Sequence, residues 1–210
     1  ANFIFHSANT SAASYFGLTM GSAELISTFG NKELQETYMT KMFAGEWQGT
    51  MALTEPHAGS SLGDIYSTAT EQADGSYKIK GQKIFISAGD HDAVENVVHL
   101  MLAKIDGGPA GSKGISLFVV PKHRPENGEL VYNDVFTAGF EAKMGMKGCP
   151  VMHLVMGDND NCKGWLVGEP HNGLRYMFQM MNGARISVGM MSSALSSAAY
   201  YASLEYANER

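Results

Sequence analysis

Residues 51–60, Met-Ala-Leu-Thr-Glu-Pro-His-Ala-Gly-Ser, are the part of the sequence best suited to binding chemistry. Apolar residues lead to the hydroxyl of Thr54, and Pro56 then fixes one backbone angle and removes a hydrogen-bond donor. At Gly59 and Ser60 the chain can come close to a ligand and offer backbone N–H groups and a hydroxyl. The run predicts a strand end that holds a planar, hydrogen-bonding cofactor against its backbone.

A second segment with the same plan follows at residues 81–87, Gly-Gln-Lys-Ile-Phe-Ile-Ser. It combines an apolar strand with the aromatic ring of Phe85 and the terminal hydroxyl of Ser87. Because the run precedes a strand and not a helix, it is not a phosphate-binding loop. Thr54 or Ser87 alone has an ordinary structural explanation, but two such segments in this order favour a cofactor site.

Other candidate residues have both a functional and a structural interpretation. Phe85 is either a ring at the cofactor or a core residue, and Arg185 is either a ligand contact or a helix-surface charge. Glu55 has no evident acid–base role and is assigned to structure, whereas His57 in the turn is assigned to packing or exposure. The 14 methionines either line an apolar ligand or fill ordinary helix core.

Composition and charge exclude several classes of function. The net charge is −6 and Lys and Arg form no cluster, which argues against a nucleic-acid partner. No window reaches the roughly 18 apolar residues of a membrane helix, and the first residues lack the basic region of a signal peptide. The seven histidines have no metal-ligand spacing. Cys149 and Cys162 fit a reducing compartment, so we expect a cytoplasmic location, with a single bridge between them as the alternative.

The elements that position these residues fall into three segments. Residues 1–48 have helical periodicity and are expected to be part of an N-terminal helical domain. Residues 49–168 contain short apolar runs between turn signals and predict a middle β-domain. Residues 169–210 predict the start of a C-terminal helical domain. The fold class is therefore α+β: a helical segment, a central antiparallel β-barrel or sandwich, and the start of a C-terminal helical bundle.

Local signals set the boundaries of these elements. Phe29-Gly30-Asn31 ends one helix and starts a second, which Ala44-Gly45 ends. About seven strands are expected, with a hairpin turn at Asp74-Gly75 and with Pro121 stopping one strand at Val120. The last helix follows Asn172-Gly173.

The two cofactor-type segments, within the order helix, β-domain, helix, resemble the acyl-CoA dehydrogenase family. The first flavin motif of that family stands here as 53–60, Leu-Thr-Glu-Pro-His-Ala-Gly-Ser, with Ser61 where the family has Asp. The second stands as 80–87, with Phe85 in place of the usual Trp and Ser87 in place of Thr. Five further segments also resemble that family: residues 114–122, 141–145, 164–168, 173–185 and 206–210. The chain is most similar to the longer members, which include enzymes for fatty acyl-CoAs and for 3-methylmercaptopropionyl-CoA.

The resemblance implies FAD as the cofactor and α,β-dehydrogenation of an acyl-CoA thioester to the 2-enoyl-CoA. It places the Thr54 and Ser87 hydroxyls at the pyrimidine edge of the flavin and near N5. Five further residues are expected to supply backbone contacts or ring packing: Met51, Leu53, Gly59, Phe85 and Ile86.

The same resemblance implies contacts outside the flavin ring. Ser60 is expected at the flavin pyrophosphate or the pantetheine arm of CoA, and Asn182 and Arg185 along the CoA arm. Arg185 suits phosphate or adenine because its guanidinium is planar and always charged. Arg210 is expected to reach the FAD of a neighbouring subunit in a homo-oligomer, a dimer or tetramer. Electron-transfer flavoprotein is the expected electron acceptor.

The catalytic base is expected outside residues 1–210, and no residue of this chain is assigned a catalytic role. Some family members place a Glu beside the Arg matched by Arg185, and here that position is Ala184. The chain lacks a start Met and ends within a helical pattern, so we expect an internal piece of a longer protein. Two alternatives stay open: a related flavoprotein (an acyl-CoA oxidase, or a nitroalkane or DNA-damage-response member), and a non-catalytic binding module of the same fold.

Overall fold

Helices lie at both ends of the chain and ten strands lie between them in the computed structural model, which describes residues 1–210. The helices are α1 (Asn2–Phe29), α2 (Lys32–Leu34), which continues through the π-helical Gln35–Met39 into α3 (Thr40–Phe43), and α4 (Gly173–Glu209). The strands are β1 (Trp47–Ala52), β2 (Thr68–Glu71), β3 (Tyr77–Ser87), β4 (Asn96–Ile105), β5 (Ile115–Pro121), β6 (His123–Glu126), β7 (Glu129–Tyr132), β8 (Val135–Phe140), β9 (Val151–Met156) and β10 (Lys163–Leu166). The predicted α+β class is confirmed.

The helix boundaries follow the predicted signals. The N–H of Gly30 donates to Ile26 O at 2.8 Å after α1 ends, and Asn31 Oδ1 accepts from Leu34 N at 2.9 Å where α2 begins. Gly45, which follows α3, has a φ of 75°, a conformation that glycine adopts without strain. None of the helices is both long and apolar enough to cross a bilayer.

Five strands close into a ring in the order β4, β5, β10, β3 and β2, because β2 pairs with both β3 and β4. The predicted barrel is therefore present. It is not antiparallel throughout: β1 and β2 both run parallel to β4, one after the other along the same edge. Pro121 belongs to β5 as its last residue, opposite Val98, where the end of the ladder tolerates a missing N–H.

Three strands lie in a stretch for which no strand was predicted. β6 and β7 form a separate two-stranded hairpin, and β8 pairs with β9 at the end of the large sheet. Pro125 lies within β6. Because proline within a sheet is confined to edge strands and bulges, its presence argued against predicting a strand here from the sequence.

β3 leaves the barrel partway along its length. Its first residues, Tyr77–Lys80, pair with β2, whereas the segment from Gly81 to Ser87 pairs with β9. A side chain cannot be added at Gly81, because a Cβ there would lie 2.2 Å from Ser67 Oγ. The cofactor-type segment of β3 therefore begins where the strand departs from the closed ring.

Two apolar clusters lie on opposite sides of the barrel wall. Val98, Leu100 and Leu102 of β4 face a cluster that includes residues of both long helices, such as Ile26 and Met177. Met101 and Ala103, which alternate with them, join Ile79, Phe118 and Leu154 in the second cluster. This packing holds α1 and α4 side by side against the β-domain.

His99 of β4 should make stability depend on acid pH. It is fully buried, its Nδ1 lies 2.7 Å from Thr50 Oγ1, and burial lowers its pKa from 6.5 to about 4. Between these values the unfolded chain binds the proton and the folded chain does not. The free energy of unfolding should therefore fall by up to roughly 3 kcal/mol as pH drops from about 6.5 to 4.

Urea unfolding at a series of pH values measures this effect. His99→Gln should remove that part of the pH slope, whereas the half-exposed His57, changed to Gln, should leave it in place. Equal slopes for wild type and His99→Gln would contradict the prediction.

Candidate cofactor and substrate site

The two cofactor-type segments lie side by side in the structure. The N–H of Ile84 donates to the carbonyl oxygen of Thr54 at 2.9 Å, which ties β3 to the chain beyond β1. The Pro56-His57 turn is closed by reciprocal backbone bonds between Glu55 and Ala58, at 3.0 and 3.1 Å. These contacts bring Leu53–Ser60 against the end of β3.

A buried ion pair joins the segments below their surface. Lys83 is fully buried and Glu55 is 3% exposed. Lys83 Nζ donates to Glu55 Oε1 at 2.8 Å and to the carbonyl oxygen of Leu53 at 3.0 Å. Burial lowers the pKa of Lys83 to about 8, although Glu55 opposes this. Burial alone would raise the pKa of Glu55, but Lys83, Ser67 and the Tyr66 N–H together hold it below its usual value.

Glu55 also organises the chain that follows the turn. It accepts hydrogen bonds from Tyr66 N at 2.6 Å, Ser67 N at 3.1 Å and Ser67 Oγ at 2.5 Å. Together with the bond from Lys83, the carboxylate accepts four hydrogen bonds within the protein, which agrees with the structural interpretation of Glu55. Lys83, its partner, is the residue that the sequence analysis did not single out.

Phe85 lies at a bulge and not in the core. The β3–β9 pairing shifts register between Lys83 and Ile86, and Phe85 adopts a φ of 60° there. Its side chain is 57% exposed, which decides against the core interpretation. Ile86 is 1% exposed and packs in the second apolar cluster, so its side chain is not available for ring packing. Only the backbone of Ile86 can contact a ligand.

The first motif presents both buried and open positions. Leu53 is buried, Met51 and Thr54 are half-buried, and Gly59 and Ser60 are exposed. A Cβ added at Gly59 would meet only Thr54 Cγ2, at 3.7 Å, so the turn is open to a ligand here. Ser61, where the family has Asp, donates its hydroxyl to Asp64 at 2.6 Å.

Ser87 opens onto a cleft between the β-domain, α1 and α4. The cleft has a volume of about 270 Å³, and its walls include Leu18, Cys149, Ala184 and Met191. A second cavity of about 280 Å³ continues from it; the two share Gly17, Leu18, Ala184 and Ser187. No Asp or Glu lines the first cleft, whereas Glu24 lines the second.

The predicted substrate residues of α4 lie on its exposed surface. Arg185 donates to Asn182 Oδ1 at 3.1 Å, and its guanidinium lies 5.9 Å from the centre of the Phe178 ring. Arg210 follows the last residue of α4 and is 25 positions from Arg185, roughly 37 Å away at 1.5 Å per residue. The structure therefore brings Asn182 and Arg185 together and does not bring Arg210 to the same site.

The family profile and the similar proteins that match this chain all point to the same protein family. The profile of the acyl-CoA dehydrogenase middle domain matches residues 50–159. A butyryl-CoA dehydrogenase of Syntrophomonas wolfei subsp. wolfei is 46% identical over 202 residues, which cover 92% of this chain and 33% of that protein. The 3-methylmercaptopropionyl-CoA dehydrogenase of Ruegeria pomeroyi is 44% identical over 195 residues, covering 92% of this chain and 33% of the relative. The chain thus spans about a third of the length of these relatives.

Solved structures show the same fold. Butyryl-CoA dehydrogenase from Megasphaera elsdenii superimposes with a TM-score of 0.82 at 25% identity, covering 100% of this chain and 51% of that chain. A glutaryl-coenzyme A dehydrogenase bound to glutaryl-CoA superimposes with a TM-score of 0.82 at 27% identity, covering 100% of this chain and 50% of the other.

Proposed function

Because the chain belongs to the acyl-CoA dehydrogenase family, we propose that the full-length protein uses FAD to convert an acyl-CoA thioester to the 2-enoyl-CoA. The observation that supports this most directly is the pairing of the Thr54 segment with the bulge at Phe85, next to the cleft at Ser87. The three segments predicted from the sequence, 1–48, 49–168 and 169–210, are proposed as parts of the three domains of this enzyme.

The residues at the bulge fit a planar cofactor. Thr54 and Ser87 each carry a hydroxyl, Phe85 presents an exposed ring, and the turn is open at Gly59. When bound, the FAD would accept the hydride that leaves the β-carbon of the substrate. Thr54 and Ser87 would bind the flavin edge and Ser60 a phosphate, with Met51, Leu53 and Ile86 contributing backbone groups.

The cleft at Ser87 suits the acyl group. Its walls are largely apolar, so they favour a hydrocarbon chain and exclude water from the reacting carbons. Asn182 and Arg185 would bind the CoA arm. The base that removes the α-proton is proposed to come from outside residues 1–210: no carboxylate lines this cleft, and Glu24 lines only the cavity that continues from it.

The test is to titrate purified full-length protein with a panel of acyl-CoAs in the absence of oxygen. We expect a yellow protein whose flavin absorbance bleaches on adding substrate. A protein that takes up no FAD would support the non-catalytic module. Peroxide formation at a rate comparable to turnover would support an oxidase over a dehydrogenase that passes electrons to electron-transfer flavoprotein.

Removing either hydroxyl should weaken cofactor binding. Thr54→Val and Ser87→Ala each delete one hydrogen bond of about 1 kcal/mol, so each should raise the Kd for FAD about fivefold. FAD titration of the deflavinated full-length protein measures this. Thr70→Val is the matched control, because this hydroxyl is on β2 and bonds to Asp106. Unchanged Kd values in both site variants would contradict the assignment.

We also propose that the protein acts as a homo-oligomer, as the resemblance of residues 206–210 to the family implies, and that it is cytoplasmic, in keeping with the free cysteines Cys149 and Cys162. Arg210 would then contact the FAD of a neighbouring subunit. Sedimentation of the full-length protein tests the oligomeric state.

A further inference from the structure

The chain turns sharply directly after Ser87, and this turn is strained. Ala88 adopts a φ of 51°, a left-handed conformation that is disfavoured for residues with a Cβ. Phe85, two residues before Ser87, has a φ of 60°. The Ser87 hydroxyl thus lies between two residues in a conformation that the unfolded chain rarely adopts.

Backbone hydrogen bonds fix only the first half of the turn. The N–H of Ala88 donates to Pro150 O at 2.8 Å, and the N–H of Gly89 donates back to Ile86 O at 3.1 Å. Strained residues keep their conformation only where the surrounding structure restrains the chain on both sides. A further restraint is therefore needed beyond Gly89.

Asp90 supplies that restraint. Its carboxylate accepts hydrogen bonds from Lys122 Nζ at 2.5 Å and from Thr137 Oγ1 at 2.8 Å. Lys122 is itself attached to the ring, because its N–H donates to Val97 O of β4 at 2.8 Å. Burial alone would raise the pKa of Asp90, but the bonds from Lys122 and Thr137 lower it, so the carboxylate stays ionised at neutral pH. Asp90 therefore ties the end of the turn to two other parts of the β-domain.

We infer that Asp90 is a positioning residue for the flavin site: by anchoring the turn, it keeps Ala88 left-handed and the Ser87 hydroxyl directed at the cofactor. The inference rests on the proposed function, in which Ser87 binds the flavin edge. Without the carboxylate, Ala88 can relax to a negative φ, and this relaxation turns the adjacent Ser87 away from its ligand. Asp90 does not line the cleft at Ser87, so its effect on the cofactor passes through Ser87.

A double-mutant cycle on the full-length protein tests this inference, with the Kd for FAD of the deflavinated protein as the measured quantity. Asp90→Ala should raise the Kd about fivefold, as Ser87→Ala does, because the same hydrogen bond is lost. In the Ser87→Ala background, Asp90→Ala should raise the Kd less than about twofold, because no hydroxyl is left to position. A carboxylate with a merely structural role would cause the same loss in both backgrounds.

Two further variants test the role of strain and provide a matched control. Asp90→Ala combined with Ala88→Gly should bind FAD more tightly than Asp90→Ala alone, since glycine adopts the left-handed conformation without a penalty. Asp74 also accepts hydrogen bonds from a lysine, Lys163 at 3.0 Å, and from a hydroxyl, Ser76 at 2.6 Å, but it lies just before the opposite end of β3. Asp74→Ala should therefore leave the Kd for FAD unchanged.

The outcomes separate this inference from the proposed function. A Kd for Asp90→Ala like that of wild type, or the same fold-change in both backgrounds, would overturn the inference and leave the proposed function intact. Asp90→Asn, which keeps the side-chain shape and one acceptor, takes the place of the alanine variant in the cycle if that variant does not fold. Wild-type protein that takes up no FAD would refute the proposed function, on which the inference rests.

Discussion

Replacing Lys83 with methionine is expected to lower the free energy of unfolding by about 3 to 5 kcal/mol. The change leaves Glu55 as a buried carboxylate without its cation, and it removes the donor to the Leu53 carbonyl oxygen. Because that carbonyl precedes Thr54, the FAD content of the full-length protein should fall as well. Urea unfolding followed by tryptophan fluorescence measures the first effect, and the flavin absorbance of the purified protein measures the second.

Two further variants show whether the buried charge is the cause. Lys80→Met removes an exposed lysine of the same strand and should change the free energy of unfolding by less than about 0.5 kcal/mol. Glu55→Gln combined with Lys83→Met should cost less than the sum of the two single changes, because no buried charge is left without a partner. If Lys83→Met were as stable as Lys80→Met, the ion pair would have no structural role.

Under the proposed function, Gly17→Leu is expected to shorten the acyl chain that the full-length protein accepts. Gly17 lines both cavities between α1 and α4, and a Cβ added there meets nothing within 4 Å, so a leucine side chain has room to extend into the cleft. We expect kcat/KM for octanoyl-CoA to fall at least about tenfold relative to butyryl-CoA, since at least about 1.4 kcal/mol of apolar contact is lost. Steady-state kinetics of the full-length protein provide both values.

Unfolding of the variant can be separated from blocking of the cleft. Leucine has a higher helix propensity than glycine by up to about 1 kcal/mol, so Gly17→Leu should not reduce thermal stability. Gly189→Leu is a matched change on α4 at a residue that lines neither cavity, with nothing within 4 Å of its added Cβ. An unchanged octanoyl-to-butyryl ratio in Gly17→Leu would show that the acyl chain does not pass this position.

The local parts of the fold were predictable because their signals lie within a few residues. The cap at Asn31 and the hairpin at Asp74-Gly75 depend on side chains and turn conformations that a short stretch of sequence specifies. The parallel pairing of β1 with β4 is not local, since the two strands are separated by β2 and β3. Closure of the ring depends on such pairings and has no sequence signature.

The surface residues of the candidate site were predictable from the sequence, but the buried contacts beneath them were not. The hydroxyls and glycines of the two motifs are recognisable as short patterns. The contact of Glu55 with Lys83 joins positions 28 residues apart, and each residue alone resembles an ordinary surface charge. Burial, which only the folded chain shows, makes them a pair. Burial likewise separates the roles of Phe85 and Ile86, which are adjacent in sequence, because the first side chain is exposed and the second is buried.

The departure of β3 from the barrel has a consequence for local opening. Up to Lys80 the strand lies within a closed ring, so its backbone can be freed only by breaking the ring. From Gly81 onward it belongs to an open arm whose last strand, β8, has an unpaired edge. The partly exposed outer strand β8 can fray while the ring stays intact, whereas Lys83 and Ile86 hold the inner strand β3 in the core. Phe85 and Ser87 are on that inner strand, so local opening at the edge of the sheet would leave both motif residues in position.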